Sequence, residues 1–247
     1  MQSGSWNFRP TLWPSLATLI SFPLLLSLGF WQLDRAAEKE QVMEKFKANF
    51  NGIPIDLNSN PSDLNDPTFM QWRKIKVTGN FESTHQFLLD NQPMNFKTGY
   101  LVFTPFKLKN ESTRVLINRG WVAANPDRNI LPEINLSEEN LTISGTAKKP
   151  PFSGVALSED LSENLKNNLI RIQQVDLEKV ESKTGQTFLP YIVRLDKEDP
   201  QGYQSDWVLP GSGAEKHYGY AFQWFAMAAA LIIIYFVVNF KRKRNDI

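Results

Sequence analysis

The most chemically pointed stretch of the chain begins at His217, one of only two histidines in 247 residues. Tyr220, Ala221 and Trp224 follow it at i+3, i+4 and i+7, so on a helix one stripe carries an imidazole beside flat aromatic rings. His217 heads an uncharged run over 218–240. If that run crosses a bilayer, the imidazole stands at the membrane edge. There it suits the role of axial ligand to a haem iron. It equally suits a hydrogen bond to lipid headgroups or to the domain beyond the membrane, and residue chemistry leaves both readings open. Ala226 and Ala230 add a small-xxx-small spacing that lets another helix approach closely.

Other chemistry is thin. The chain contains no cysteine, which excludes disulfides, thiolate zinc and copper sites, iron–sulfur clusters and CxxC redox motifs. Two histidines are too few for a multi-histidine metal site. His85, in FESTHQ at 81–86, reads as a solvated turn residue. There is no G-x-S-x-G, no H-E-x-x-H and no phosphate loop, and the carboxylates are scattered, so no enzyme is expected. With 27 basic against 26 acidic residues, no concentrated basic face invites nucleic acid.

Two elements must position His217 and its neighbours. Residues 11–33 carry no charge, and neither do 218–240. Each run makes a helix of roughly 35 Å, enough to cross a hydrocarbon core of about 30 Å. Trp13, Trp31, Tyr218, Tyr220 and Phe240 lie near the ends, as an interfacial belt requires. The first run is long for a signal peptide and lacks a small-x-small cleavage site before Asp34-Arg35, so an uncleaved anchor is expected. Lys241-Arg242-Lys243-Arg244 reads as a stop-transfer flank and puts both termini on the cytoplasmic side. The expected order is a cytoplasmic N-terminus (1–10), a first span (11–33), an extracytoplasmic domain (34–216), a second span (217–240) and a basic cytoplasmic tail (241–247). With only Arg9 near the start and no basic amphipathic run, a bacterial inner membrane is the expected home, the main domain lying in the periplasm.

The intervening domain is mildly acidic, with 22 basic against 25 acidic residues. Its first part, about 34–49, continues the first helix through Leu33, Ala37, Val42, Phe46 and Phe50. A polar loop with Pro54, Pro61 and Pro67 follows. Alternating segments at 74–77, 86–89, 99–108, 114–122, 141–144, 170–173, 190–195 and 205–209 read as strands, with 109–112 turning a hairpin. Asp176 caps a short helix that stops at Gly185, and Leu157, Leu161 and Leu165 suggest another. The expected fold is a membrane protein in which two transmembrane α-helices flank one α+β domain, mostly antiparallel β and barrel-like.

Three motifs in order resemble the surfeit-locus family of cytochrome oxidase assembly proteins. LGFWQLDR at 28–35 is similar to the family's L-G-x-W-Q-x-x-R. GYLVFTPF at 99–106 with VLINRGWV at 115–122 is similar to G-Y-x-V-x-T-P-L and V-L-V-N-R-G-W-V. HYGYAFQWF at 217–225 is similar to H-x-G-Y-A-x-Q-W-F. Together with two spans around one domain, the resemblance covers essentially the whole chain. Residues 91–97 depart from the arginine-rich stretch expected there. The resemblance implies a factor for assembling haem–copper terminal oxidases, acting as haem a enters the large subunit. It implies possible transient haem a binding with His217 as iron ligand, and as partners the oxidase large subunit, haem A synthase and membrane lipid. A cofactor-free scaffold that stabilises an oxidase intermediate is the alternative.

On this basis the cofactor-binding candidates are His217, Tyr220, Trp224 and Arg119. Arg119 offers a bidentate partner to a propionate or, alternatively, an internal ion pair. The motif candidates are Gly29, Trp31, Gln32, Arg35, Asn118, Gly120, Trp121, Gly219 and Gln223. Trp31 and Arg35, four apart, predict a guanidinium over an indole. Gln32 at the membrane edge reads as a donor to the domain or to a partner. Gly120 predicts a bulge or a close backbone approach, with Trp121 packing nearby.

Overall fold

The computed structural model describes residues 6–59, 63–137, 139–150, 162–164, 168–207 and 209–242. In chain order the elements are β1 (Trp6–Phe8), α1 (Leu12–Phe50), β2 (Ile55–Asp56), α2 (Pro67–Met70), β3 (Lys74–Phe81), β4 (Gln86–Met94), β5 (Lys97–Leu108), β6 (Arg114–Ala123), β7 (Leu141–Lys148), β8 (Ser162–Asn164), β9 (Leu169–Ile172), α3 (Leu177–Thr184), β10 (Phe188–Leu195), α4 (Ala214–Asn239) and β11 (Phe240–Arg242). The chain divides into two units, Met1–Lys45 with Val208–Ile247, and Phe46–Trp207.

In the first unit, α1 and α4 are both long and apolar enough to cross a membrane. Pro14 falls in the first turn of α1, where its missing N–H has no intrahelical partner to lose. The two helices associate through small residues seven apart. Ala214, Ala221 and Ala228 are buried on α4, as are Gly29 and Ala36 on α1. That repeat keeps one seam facing the partner along its length, and small side chains are what apolar surroundings favour there. The seam therefore uses Ala221 and Ala228, whereas Ala226 and Ala230, the expected close-approach pair, are exposed.

Polar contacts hold the far end of this pair. Asn239 is fully buried. Its Oδ1 accepts from Thr11 N at 2.9 Å and from Thr11 Oγ1 at 3.3 Å, and its Nδ2 donates to Tyr235 O at 2.8 Å. One side chain of α4 thus caps the start of α1. Ser15 Oγ and Tyr235 Oη share a hydrogen bond of 2.9 Å, and β1 pairs antiparallel with β11. Asn239→Ala orphans the amide of Thr11. The expected result in detergent micelles is hydrogen exchange at amides 11–15 faster by about tenfold, with barrel amides unaffected. At the other end, Gly211 fits tightly on α1, where a Cβ would stand 2.4 Å from Lys39 O. Gly211 is thus a packed contact, while Gly213 two residues on has open space around it.

In the second unit five strands close a ring in the order β3–β7–β10–β6–β5–β3. All neighbours in the ring are antiparallel except β6 and β10, which are parallel. β4, β9 and β8 extend the sheet beyond β5, and β2 lies beside β3. Period-two alternation fills the interior with Ile75, Val77, Phe106, Ile117, Tyr191 and Val193 among others. A second core, outside the ring, joins Phe87, Phe103, Leu116 and Ile192 to Val180 of α3. That helix is capped as its sequence requires: Asp176 accepts from Lys179 N, and Gly185 closes it in the left-handed conformation.

Two expected elements differ. Residues 205–207 form no strand; pairing there is confined to the single bridge of Gln204 to Trp121, next to the bulge in β6. Leu157, Leu161 and Leu165 lie outside the described residues.

Candidate functional site

The first unit brings two of the motifs together. His217, at the start of α4, is half-buried, and its Nδ1 lies 2.7 Å from Oε1 of Gln32 on α1. An amide oxygen only accepts, so in this arrangement Nδ1 is the donor, the tautomer of a neutral imidazole that leaves Nε2 its lone pair. The pair joins residues 185 positions apart, which is why the sequence suggested other partners for Gln32. Two turns further along α4, Phe225 lies against Gly29, where a Cβ would come within 2.5 Å of its ring. Phe225 and Phe30 meet edge to face at 5.3 Å. Tyr218 Oη donates to Glu40 at 2.9 Å. Glu40, Phe225 and the Gln32–His217 bond are features that sequence reasoning missed, since each depends on the register of two distant helices.

The remaining residues of this group spread over the outer faces of the helices. Ala221 is buried and Trp224 half-buried, on the side of His217. Tyr220 and Gln223 are exposed, so the expected stripe narrows to His217, Ala221 and Trp224. Gly219 is open, with nothing within 4 Å of a Cβ. The Arg35 guanidinium stands 5.7 Å from the Trp31 ring centroid, as the four-residue spacing requires, and also pairs with Glu38 at 2.7 Å. Both are well exposed, so the pair contributes little to stability.

The second group lies in the barrel unit, at a bulge. Val102 pairs with Gly120 and Phe103 with Asn118, leaving Arg119 as the extra residue of β6. Gly120 has φ +113 and its N–H is held by Asn118 Oδ1 at 3.0 Å. A Cβ on it would stand 2.8 Å from the carbonyl oxygens of Tyr203 and Gln204. Both a left-handed φ and a close backbone approach therefore demand glycine. Trp121 donates its indole N–H to Gln92 O at 2.7 Å and lies over Gly99.

Arg119 itself is 4% exposed. Its Nε donates to Gln201 O and its Nη2 to Asn135 O, both at 2.8 Å. The guanidinium lies 4.9 Å from the rings of both Phe81 and Tyr203. Nη1 is enclosed without a partner. Burial pushes the group below the ordinary arginine range, an effect partly offset by Tyr203 and Asp199. Among the described residues Arg119 has no ion pair, so the expected internal ion pair is replaced by backbone carbonyls and aromatic faces. The bidentate edge expected for a propionate is thus taken up by carbonyls, and the remaining Nη1 is enclosed. His85, expected to be solvated, is half-buried with Nδ1 enclosed.

The SURF1 family profile matches residues 19–229. A SURF1-like protein of Rickettsia bellii is 28% identical over 228 residues, covering 89% of this chain and 88% of that protein. A SURF1-like protein of Dictyostelium discoideum is 23% identical over 260 residues, covering 87% and 92%. The cytochrome oxidase assembly protein SHY1 of Saccharomyces cerevisiae is 27% identical over 146 residues, covering 56% of this chain and 37% of that protein. With the profile running through α1, the barrel and most of α4, the chain belongs to the SURF1 family.

Proposed function

We propose that this protein is a membrane-anchored, non-enzymatic assembly factor for a haem–copper cytochrome oxidase, presenting haem a to the large oxidase subunit. The supporting observation is the Gln32–His217 pair. The amide oxygen favours the tautomer whose Nε2 offers its lone pair to a metal, and metal-bound histidines are characteristically held in this way through the other nitrogen. When bound, haem a supplies an iron that accepts an imidazole nitrogen. His217 provides that nitrogen, Gln32 holds the ring, and Trp224, with Tyr220 on the flank, offers flat apolar surface. Lipid, the large oxidase subunit and haem A synthase are the partners in this reading.

The pairing of β1 with β11 and the basic run beyond α4 favour both termini on the cytoplasmic side of a bacterial inner membrane, with the segment between the spans in the periplasm. The test is purification in detergent from cells that make haem A, followed by an absorption spectrum and pigment extraction. Stoichiometric haem a that falls about tenfold or more in His217→Ala is the expected result. Absence of haem from the wild type, with oxidase still lost on deletion, would leave the cofactor-free scaffold.

A further inference from the structure

The outer face of β7 and β10 carries two cations with no acid. On each strand the odd-numbered residues fill the barrel and the even-numbered ones face outward, so Lys148 and Arg194 share one surface. Lys148 pairs with Ile192 and Arg194 with Thr146, which makes the two cations diagonal neighbours. The nearby Asp196 is taken by Lys74 at 2.8 Å. Among the described residues no carboxylate pairs with Lys148 or Arg194. Arg35, Arg114 and Arg128 each reach a carboxylate, and Arg119 reaches carbonyls.

Two enclosed groups beside this pair are donors without an acceptor. The Arg194 guanidinium lies 4.8 Å from the Trp207 ring. Arg194 Nε and Trp207 Nε1 are both enclosed without an acceptor. Burial lowers the affinity of both cations for their protons, and Arg194 lowers that of Lys148 further. Like charges on neighbouring strands, partly desolvated and beside an unpartnered indole N–H, suit an acceptor-rich anion.

We propose that Arg194, Lys148 and the Trp207 indole form a binding site for a phosphate oxyanion, filled by the headgroup of an anionic phospholipid. A guanidinium edge and an ammonium suit phosphate oxygens, and the Trp207 indole gives the glycerol region an apolar wall with an N–H at its rim. The site is independent of haem. Free phosphate shares this chemistry, and the test separates the two sources.

The full chain is purified in detergent, incubated with phosphatidylglycerol or phosphatidylcholine, and read by native mass spectrometry. In parallel its unfolding midpoint is followed with added inorganic phosphate. The expected result is retention of phosphatidylglycerol over phosphatidylcholine, reduced about tenfold in both Lys148→Gln and Arg194→Gln. Lys148 is partly exposed, so its variant carries the test if Arg194→Gln fails to fold. A midpoint raised by phosphate in the wild type and not in Lys148→Gln, without lipid retention, supports the oxyanion site with free phosphate as occupant. Equal adducts and equal midpoints in wild type and Lys148→Gln overturn it.

Discussion

Gly79→Ala, the smallest possible change at that position, is expected to leave the barrel open. Gly79 is where β3 is paired on both sides, with Leu141 of β7 and with Leu108 of β5. The second of these pairings closes the ring. A Cβ on Gly79 would stand 1.9 Å from the carbonyl oxygen of Lys107 and 2.9 Å from the Phe106 ring. The obstructing atom is backbone of the partner strand, so no rotamer change relieves it. Either β3 withdraws from β5, exposing Phe81 and Phe106, whose rings pack edge to face at 4.9 Å, or the strand shifts and its inward side chains lose their places. The expected loss is about 3–5 kcal/mol, at the upper end of what single substitutions cost. Urea unfolding of the full chain in detergent, read by tryptophan fluorescence, measures it. A midpoint within error of the wild type would show that the ring is not the stability-determining feature of this unit.

The contrast between Gly79 and Gly120 shows what the chain makes legible. Gly120 sits between Arg119 and Trp121 in a run of strand formers, where an isolated glycine points to a bulge, and the bulge is there. Gly79 follows Thr78 at the end of an apparent four-residue alternation, and nothing local says that the strand continues to Phe81 and pairs twice. Ring closure depends on which strand meets β3, and the parallel pairing of β6 with β10 joins segments some 75 residues apart. Local alternation reports that a strand exists, while its neighbours are chosen by the packing of the whole core. The same division holds in the helical unit. Uncharged length marked both spans, and helical spacing placed His217 with Ala221 and Trp224. The seam along Ala214, Ala221 and Ala228, and with it the contact to Gln32, depends on the register of α4 against α1, which neither helix encodes alone.

Arg119→Met is expected to destabilise the barrel unit nearly as much as opening it does. The residue combines three roles that methionine cannot replace together. Its two hydrogen bonds hold carbonyls from the otherwise irregular segments around Asn135 and Gln201, and Tyr203 Oη in turn accepts from Asn135 N at 3.1 Å. The backbone of Arg119 accepts from Tyr203 N at 2.6 Å, so the bulge and the side chain grip the same loop. The guanidinium also fills the gap between Phe81 and Tyr203. Removing the donors orphans two carbonyls, and losing a charged hydrogen-bonded centre costs about 3–5 kcal/mol. Arg119→Lys keeps the charge but, as a compact ammonium, cannot span two carbonyls and two ring faces at once. About half of that loss is therefore expected for lysine. Hydrogen exchange should rise first at amides 201–204 and around Asn135, ahead of the barrel strands, because those segments depend on the staple. If Arg119→Lys unfolds at the wild-type midpoint with unchanged exchange, the fork geometry is not what holds these loops.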